Sequence, residues 1–120
     1  MSYIAWDTET TGLPMSRVTA TKENLHIFEH CRIISLAFVS YSTRGRELCS
    51  YYSVVYPDTF QVAATEIHGI THEYALEHGR NFVEIYNDFV EASRNRILVA
   101  HNSSFDKNVF FSECYRRGLS

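Results

Sequence analysis

The chain has 120 residues, 45% of them hydrophobic and 21% charged, which is typical of a single globular domain. Its net charge of −3 excludes a broad basic surface, so any affinity for phosphate must be local or carried by a metal ion. The three cysteines are widely spaced and form no CxxC pair, which argues against a disulfide framework and a zinc site. No leader or membrane-length apolar run is present, so a cytoplasmic protein is expected.

The first half of the chain predicts three strands. The apolar run at Tyr3–Trp6 ends at Asp7 and predicts a central strand buried on both faces. Two β-rich runs, Arg32–Ser42 and Glu47–Tyr56, are separated by a short polar segment that contains a glycine. This spacing predicts an antiparallel hairpin and hence a three-stranded meander.

The second half predicts helices alternating with a strand. Apolar residues recur at helical spacing through Asn81–Ser93. Ile97–Ala100 reads as a buried strand, and a further helix is predicted from Ser103 toward Gly118. The order β-β-β-α-β-α favours an α/β fold with a mixed sheet and a parallel crossover. Residues 14–31 have no clear period and are interpreted as an inserted loop, with one helical turn near residues 25–28.

Two carboxylates follow the first strand. Asp7 and Glu9 are two residues apart, so strand alternation points both side chains to one face while Thr8 turns away. Paired carboxylates suit a hard divalent cation such as Mg²⁺ or Mn²⁺. The alternative is a solvated turn, in which Asp, Thr and Gly are common.

A third acid, Asp106, falls in the first turn of the last predicted helix. An acid there is favoured by the helix dipole whatever the function, and Asn102 or Ser103 could simply cap the helix. If the strand at Ile97 lies beside the first strand, Asp7, Glu9 and Asp106 meet at one edge of the sheet. Two metal ions held there could promote an in-line displacement at phosphorus.

Three motifs together resemble a known family: DTETTGL at residues 7–13, EIHGIT at residues 66–71 and LVAHNSSFD at residues 98–106. They are similar to successive motifs of the DEDD (DnaQ-like) 3′–5′ exonucleases, in the branch of the proofreading epsilon subunit. The resemblance implies a ribonuclease-H-like fold. It also implies stepwise release of nucleoside monophosphates from a single-stranded or frayed nucleic-acid 3′ end, with two Mg²⁺ or Mn²⁺ ions.

The resemblance assigns roles to individual residues. The metal ligands would be Asp7, which bridges the ions, together with Glu9 and Asp106. The residues expected at the terminal nucleotide are Thr10, Gly12, Leu13, His68, His101, Asn102 and Phe105. A hydrogen-bonded structural role is the alternative for His68 and for His101.

One family motif is not found in this chain. The histidine subgroup carries a general-base histidine and a fourth acid several tens of residues after the second motif, whereas the sequence ends at Ser120. Residues 1–120 are therefore expected to form one exonuclease domain, incomplete at its C-terminus and weak or inactive alone. A non-catalytic module that binds a nucleic-acid end or a protein is the alternative. Uncovered apolar surface predicts a homodimer, and the resemblance suggests a polymerase partner.

Overall fold

One four-stranded mixed sheet forms the centre of the structure, a computed structural model that describes residues 2–119. Its strands in chain order are β1 (Tyr3–Thr10), β2 (Ile33–Tyr41), β3 (Glu47–Val54) and β4 (Ile97–Val99). β1 to β3 form an antiparallel meander, while β4 pairs parallel to β1, which gives the spatial order β3-β2-β1-β4. The predicted α/β mixed sheet, with β1 in a central position, is confirmed, but β1 is buried on one face only, since Tyr3 and Ala5 on the other face are half-buried.

The helices are α1 (Thr65–His68), α2 (His72–His78), α3 (Phe82–Ser93) and α4 (Ser103–Arg116). α3 begins where predicted because Asn81 caps it, accepting a 2.8 Å hydrogen bond from the Val83 amide. α4 ends two residues before Gly118, whose φ of 71° is a left-handed conformation that suits glycine. The prediction missed α1 and α2, which are too short to show a helical period. None of the helices within residues 2–119 is long and apolar enough to cross a membrane.

The main core lies between the sheet and the helices α3 and α4. Alternation along β1 buries Ile4 and Trp6 on this side. The Trp6 ring lies 5.0 Å from Phe89 and 5.8 Å from Phe110, measured between ring centroids. A second cluster of Ile34, Val54, Ile70 and Ala75 joins β2 and β3 to α2 and the residues before it.

β4 corrects one prediction. The run at Ile97–Ala100 was expected to be buried, but Ile97, Leu98 and Val99 are 52%, 46% and 45% exposed. Within residues 2–119, β4 pairs only with β1 and forms an edge of the sheet. An apolar run indicates that a strand could be buried, but it does not show whether other strands or helices cover that strand.

The segment 14–31 contains the predicted helical turn as a 3₁₀ helix, Leu25–Phe28. Phe28 is 1% exposed, and the Met15 amide donates to the Ile27 carbonyl at 2.9 Å. Asn108 of α4 accepts a 2.8 Å hydrogen bond from the Ala20 amide. The segment is therefore held against α4 at more than one point.

Candidate active site at the carboxyl end of β1

Asp7 and Glu9 extend from the same face of β1, as alternation predicts. Asp7 is exposed and Glu9 is half-buried, while Trp6 and Thr8, on the opposite face, are buried. Asp7 lies opposite Ala37 in β2, and Glu9 lies opposite Ser35. The small neighbours leave both carboxylates accessible, which is a requirement for binding a cation from solvent.

Asp106 is held by Thr8 on the core side of β1. Its Oδ1 accepts a 2.6 Å hydrogen bond from the Thr8 hydroxyl and a 3.1 Å bond from the Thr8 amide. The Asp106 residue is 3% exposed and lies in the first turn of α4. These two bonds join the helix to the strand across 98 positions of sequence.

The electrostatic environment of Asp106 disfavours its charged form. Burial raises the pKa of its carboxyl group, and the nearby Asp7 raises that pKa further. The hydrogen bonds from Thr8 and the nearby His101 lower it, but they offset only part of the effect. A bound cation would favour the ionised form that burial disfavours.

The donor set matches a hard divalent cation in its chemistry but is only partly assembled. All three predicted ligands are carboxylates, and Asp7 is close enough to Asp106 to affect its pKa. However, within residues 2–119 no group of three or more His, Cys, Asp or Glu side chains is gathered closely enough to hold a metal ion. The predicted convergence is therefore found only in part. Thr8 holds Asp106 on the core side of β1, whereas Asp7 and Glu9 extend from the opposite face.

A tight turn after Glu9 fixes the position of Leu13. The Thr10 hydroxyl donates to the Gly12 carbonyl at 2.8 Å, and the Thr11 amide donates to the Arg32 carbonyl at 2.9 Å. A Cβ atom at Gly12 would lie 2.5 Å from the His30 carbonyl oxygen, so only glycine fits this approach. The turn leaves the Leu13 side chain 78% exposed.

An open cleft of about 540 Å³ adjoins this turn. It brings together three predicted nucleotide-binding residues, Leu13, Asn102 and Phe105. The other lining residues come from the segment after Leu13 and from α4; they are Pro14, Met15, Ser16, Arg17, Val18, Thr19, Phe28, Ser104 and Asn108. Asn102 occupies the N-cap position of α4, but its side chain makes no capping bond. Aromatic and aliphatic walls with a few amides and hydroxyls suit a nucleobase.

The two predicted histidines lie apart from the described lining of this cleft. His68 Nδ1 accepts from the Ile70 amide at 2.9 Å, and its Nε2 lies 2.7 Å from the Ala63 carbonyl oxygen. Both ring nitrogens are thus used by the backbone, which favours a structural role for His68. His101 is exposed and close enough to Asp106 to lower the pKa of that carboxyl group.

The structure adds residues that the sequence did not suggest. Thr8 positions Asp106, and Arg17 and Asn108 help to line the cleft. A signal for Thr8 was available: it is the polar residue in a β1 face that otherwise buries Ile4 and Trp6, so it needs a buried partner. No comparable pattern marks Arg17.

A mixed α/β sheet with carboxylates at the end of its central strand and a cleft beside them defines a candidate nuclease domain. The sequence profile of the Exonuclease family (RNase_T) matches residues 4–117. The chain therefore belongs to this family of DEDD-type, DnaQ-like 3′–5′ exonucleases. Exonucleases of this family generally use divalent metal ions.

Relatives in the family include bacterial replication proteins. The chain is 30% identical over 124 residues to the DNA polymerase III subunit epsilon of Treponema pallidum, covering 100% of this chain and 51% of that protein. It is 32% identical over 104 residues to the Buchnera aphidicola epsilon subunit, covering 86% of this chain and 40% of that protein. The chain thus spans about half, or less, of the length of these relatives.

Solved structures share the fold. Escherichia coli exonuclease I in complex with a dT13 oligonucleotide has a TM-score of 0.75 and 17% identity, covering 99% of this chain and 24% of that one. Exonuclease I of Methylocaldum szegediense has a TM-score of 0.70 and 20% identity, covering 90% of this chain and 22% of that one. The ribonuclease-H-like fold predicted from the sequence is confirmed.

Proposed function

We propose that this chain is a metal-dependent 3′–5′ exonuclease domain that removes nucleoside monophosphates from the 3′ end of a single strand. The observation that carries the proposal is the position of Asp7, Glu9 and Asp106 at the carboxyl end of β1, beside a cleft lined by Leu13 and Phe105. The names of the relatives favour DNA as substrate and a polymerase as partner.

Each group has a proposed task. Asp7 and Glu9, together with Asp106, would hold two Mg²⁺ or Mn²⁺ ions, and Thr8 would orient Asp106. When bound, such ions supply the charge that activates water and stabilises the leaving oxygen. Leu13 and Phe105 would contact the terminal base, while Thr10 and Gly12 hold Leu13 in place. Asn102 and His101 would shape the end of the strand.

The activity of the 120-residue chain alone is proposed to be weak. Its described carboxylates are only partly gathered, so metal ions and phosphate must complete the arrangement together. This coupling is typical of Mg²⁺, which keeps several waters and takes phosphate oxygens as ligands.

The test measures metal binding and hydrolysis separately. Mn²⁺ binding, followed by electron paramagnetic resonance with and without an oligothymidine, should be lost in Asp7→Ala. It should persist in Glu47→Ala, which removes an exposed acid at the start of β3. Release of monophosphate from a 3′-labelled oligonucleotide should be at least about 100-fold slower in Asp7→Ala than in wild type.

The partly assembled ligand set favours a second candidate, a non-catalytic module that binds a nucleic-acid end or a protein partner. The same titration separates the two functions. If the wild-type chain takes up no Mn²⁺ either alone or with the oligonucleotide, the exonuclease proposal is wrong and the binding module remains.

A further inference from the structure

The described lining of the cleft beside Phe105 contains positive charge and no negative charge. Its described lining consists of apolar side chains, amides, hydroxyls and the guanidinium of Arg17, and it includes no acid. The chain as a whole has a net charge of −3. Attraction for a polyanion at this cleft therefore depends on local cations rather than on the overall field.

Arg17 is exposed and uncompensated. No hydrogen bond or ion pair formed within residues 2–119 uses its side chain. By contrast, Arg32 is paired with Glu113, Arg80 with Asp88, and Arg117 with Asp58. The Arg17 guanidinium thus keeps its donors free for a ligand.

The loop that carries Arg17 is anchored on both sides. Before it, the Met15 amide donates to the Ile27 carbonyl at 2.9 Å. After it, Asn24 donates to the Thr19 carbonyl at 2.8 Å, and Asn108 accepts from the Ala20 amide at 2.8 Å. The loop therefore presents Arg17 at a defined wall of the cleft, which lowers the entropic cost of using it in binding.

We propose that Arg17 binds a single strand whose 3′-terminal base lies in the cleft, through a backbone phosphate of the nucleotide next to the terminal one. The inference rests on the proposed function and extends it to the neighbouring nucleotide. A guanidinium presents several donors in a planar fork that matches phosphate oxygens. Apolar and aromatic side chains beside a cation form the arrangement that binds single strands without sequence preference.

The experiment measures binding of a 5′-fluorescein oligothymidine by fluorescence anisotropy at several salt concentrations, with Ca²⁺ present. Arg17→Gln should weaken binding roughly fivefold at low salt. It should also reduce the slope of log affinity against log salt by about 0.7, the contribution of one phosphate contact on a single strand. Arg17→Lys should retain most of the slope, because it keeps the charge.

The control is Arg44→Gln, which makes the same change of charge at the exposed β2–β3 turn. It should leave both affinity and slope unchanged. The inhibition constant of thymidine monophosphate, corrected for the affinity of the probe, should be equal in wild type and Arg17→Gln, since the proposed contact is to a phosphate that the mononucleotide lacks.

The outcomes separate the two proposals. If the wild type binds but Arg17→Gln and Arg44→Gln give the same slope, the role of Arg17 is wrong and the proposed function stands. If the wild type binds no oligonucleotide, the proposed function fails and the role of Arg17 fails with it. A loss of mononucleotide affinity in Arg17→Gln would overturn the assignment to the neighbouring phosphate.

Discussion

Asp106 is buried, hydrogen-bonded and close to another acid, and each of these features acts on its charge. Because the pKa of its carboxyl group is raised in the folded chain, ionisation of this group costs stability. The stabilisation that the protonated Asp106 carboxyl group gives to the fold is complete at pH values below the pKa of this group in the unfolded chain. It is lost as the pH rises through the folded pKa.

We therefore expect Asp106→Asn to raise the free energy of unfolding at neutral pH in the absence of metal. The amide keeps an oxygen for the two bonds from Thr8 but carries no charge. The gain should disappear as the pH falls below the pKa of an unfolded aspartate, about 3.9. Urea unfolding followed by circular dichroism across that range measures the difference.

Asp58→Asn is the matched control with the opposite sign. Its hydrogen bond with Arg117 lowers the pKa of the Asp58 carboxyl group, so that group stabilises the fold at neutral pH and loses this effect in acid. If Asp106→Asn is less stable than wild type at neutral pH while Asp58→Asn behaves as expected, the electrostatic account of Asp106 is wrong.

For individual residues, the sequence predicted which face of a strand a side chain points to better than it predicted which residue that side chain contacts. Strand alternation placed Asp7 and Glu9 on one face and turned Thr8 away. It could not show that Thr8 binds Asp106, because the two residues are 98 positions apart. The sequence also could not show that Gly12 packs against the His30 carbonyl, because this contact depends on the path of the segment before β2.

A buried ion pair joins Arg32, the residue immediately before β2, to Glu113 of α4. Arg32 Nε lies 2.7 Å from Glu113 Oε2, and Glu113 also accepts a 3.1 Å bond from the Ile33 amide. Arg32 and Glu113 are 4% and 1% exposed as residues. Arg32 also donates to the Thr59 hydroxyl at 2.9 Å, so both its Nε and its Nη2 have hydrogen-bond acceptors.

We expect Glu113→Ala to lower the free energy of unfolding by about 3–5 kcal/mol, since it leaves the Arg32 charge buried and unpaired. Glu91→Ala, which removes an exposed partner of Arg94, should cost less than about 1 kcal/mol. Chemical denaturation of both variants gives the comparison. The double variant Arg32→Met, Glu113→Leu should recover most of the loss, and equal effects of Glu113→Ala and Glu91→Ala would contradict this role.

The elements that sequence predicted well have strong local signals. The apolar period located α3, and the polar segment with a glycine between two β-rich runs located the β2–β3 hairpin. α1 and α2 were missed because four and seven residues are too few to establish a period. The burial of β4 was wrongly predicted because it depends on neighbours rather than on the strand itself.

Viewed as a whole, the described chain has an apolar edge. Ile97, Leu98 and Val99 are all about half exposed along β4, whose second edge has no strand beside it within residues 2–119. Edges of this kind pair readily with other chains unless a charge or a covering segment protects them. Self-association of the 120-residue chain is the expected consequence.

Leu98→Lys should reduce that self-association, because a lysine on an edge strand disfavours pairing with another edge. Sedimentation velocity over a range of protein concentrations should show a concentration-dependent species for the wild type and a monomer for the variant. Leu76→Lys, which alters an exposed leucine of α2, serves as control and should behave like wild type. A wild-type chain that is monomeric at every concentration would contradict the prediction.

The bond between the Thr8 amide and Asp106 has a spectroscopic consequence. β4 ends opposite Ala5, and the Thr8 amide donates to a side-chain carboxylate rather than to a strand carbonyl. Its nitrogen-15 resonance should therefore follow the charge state of that carboxylate. One backbone signal in β1 can report protonation or cation binding at the candidate site without substrate, turnover or any change to the protein.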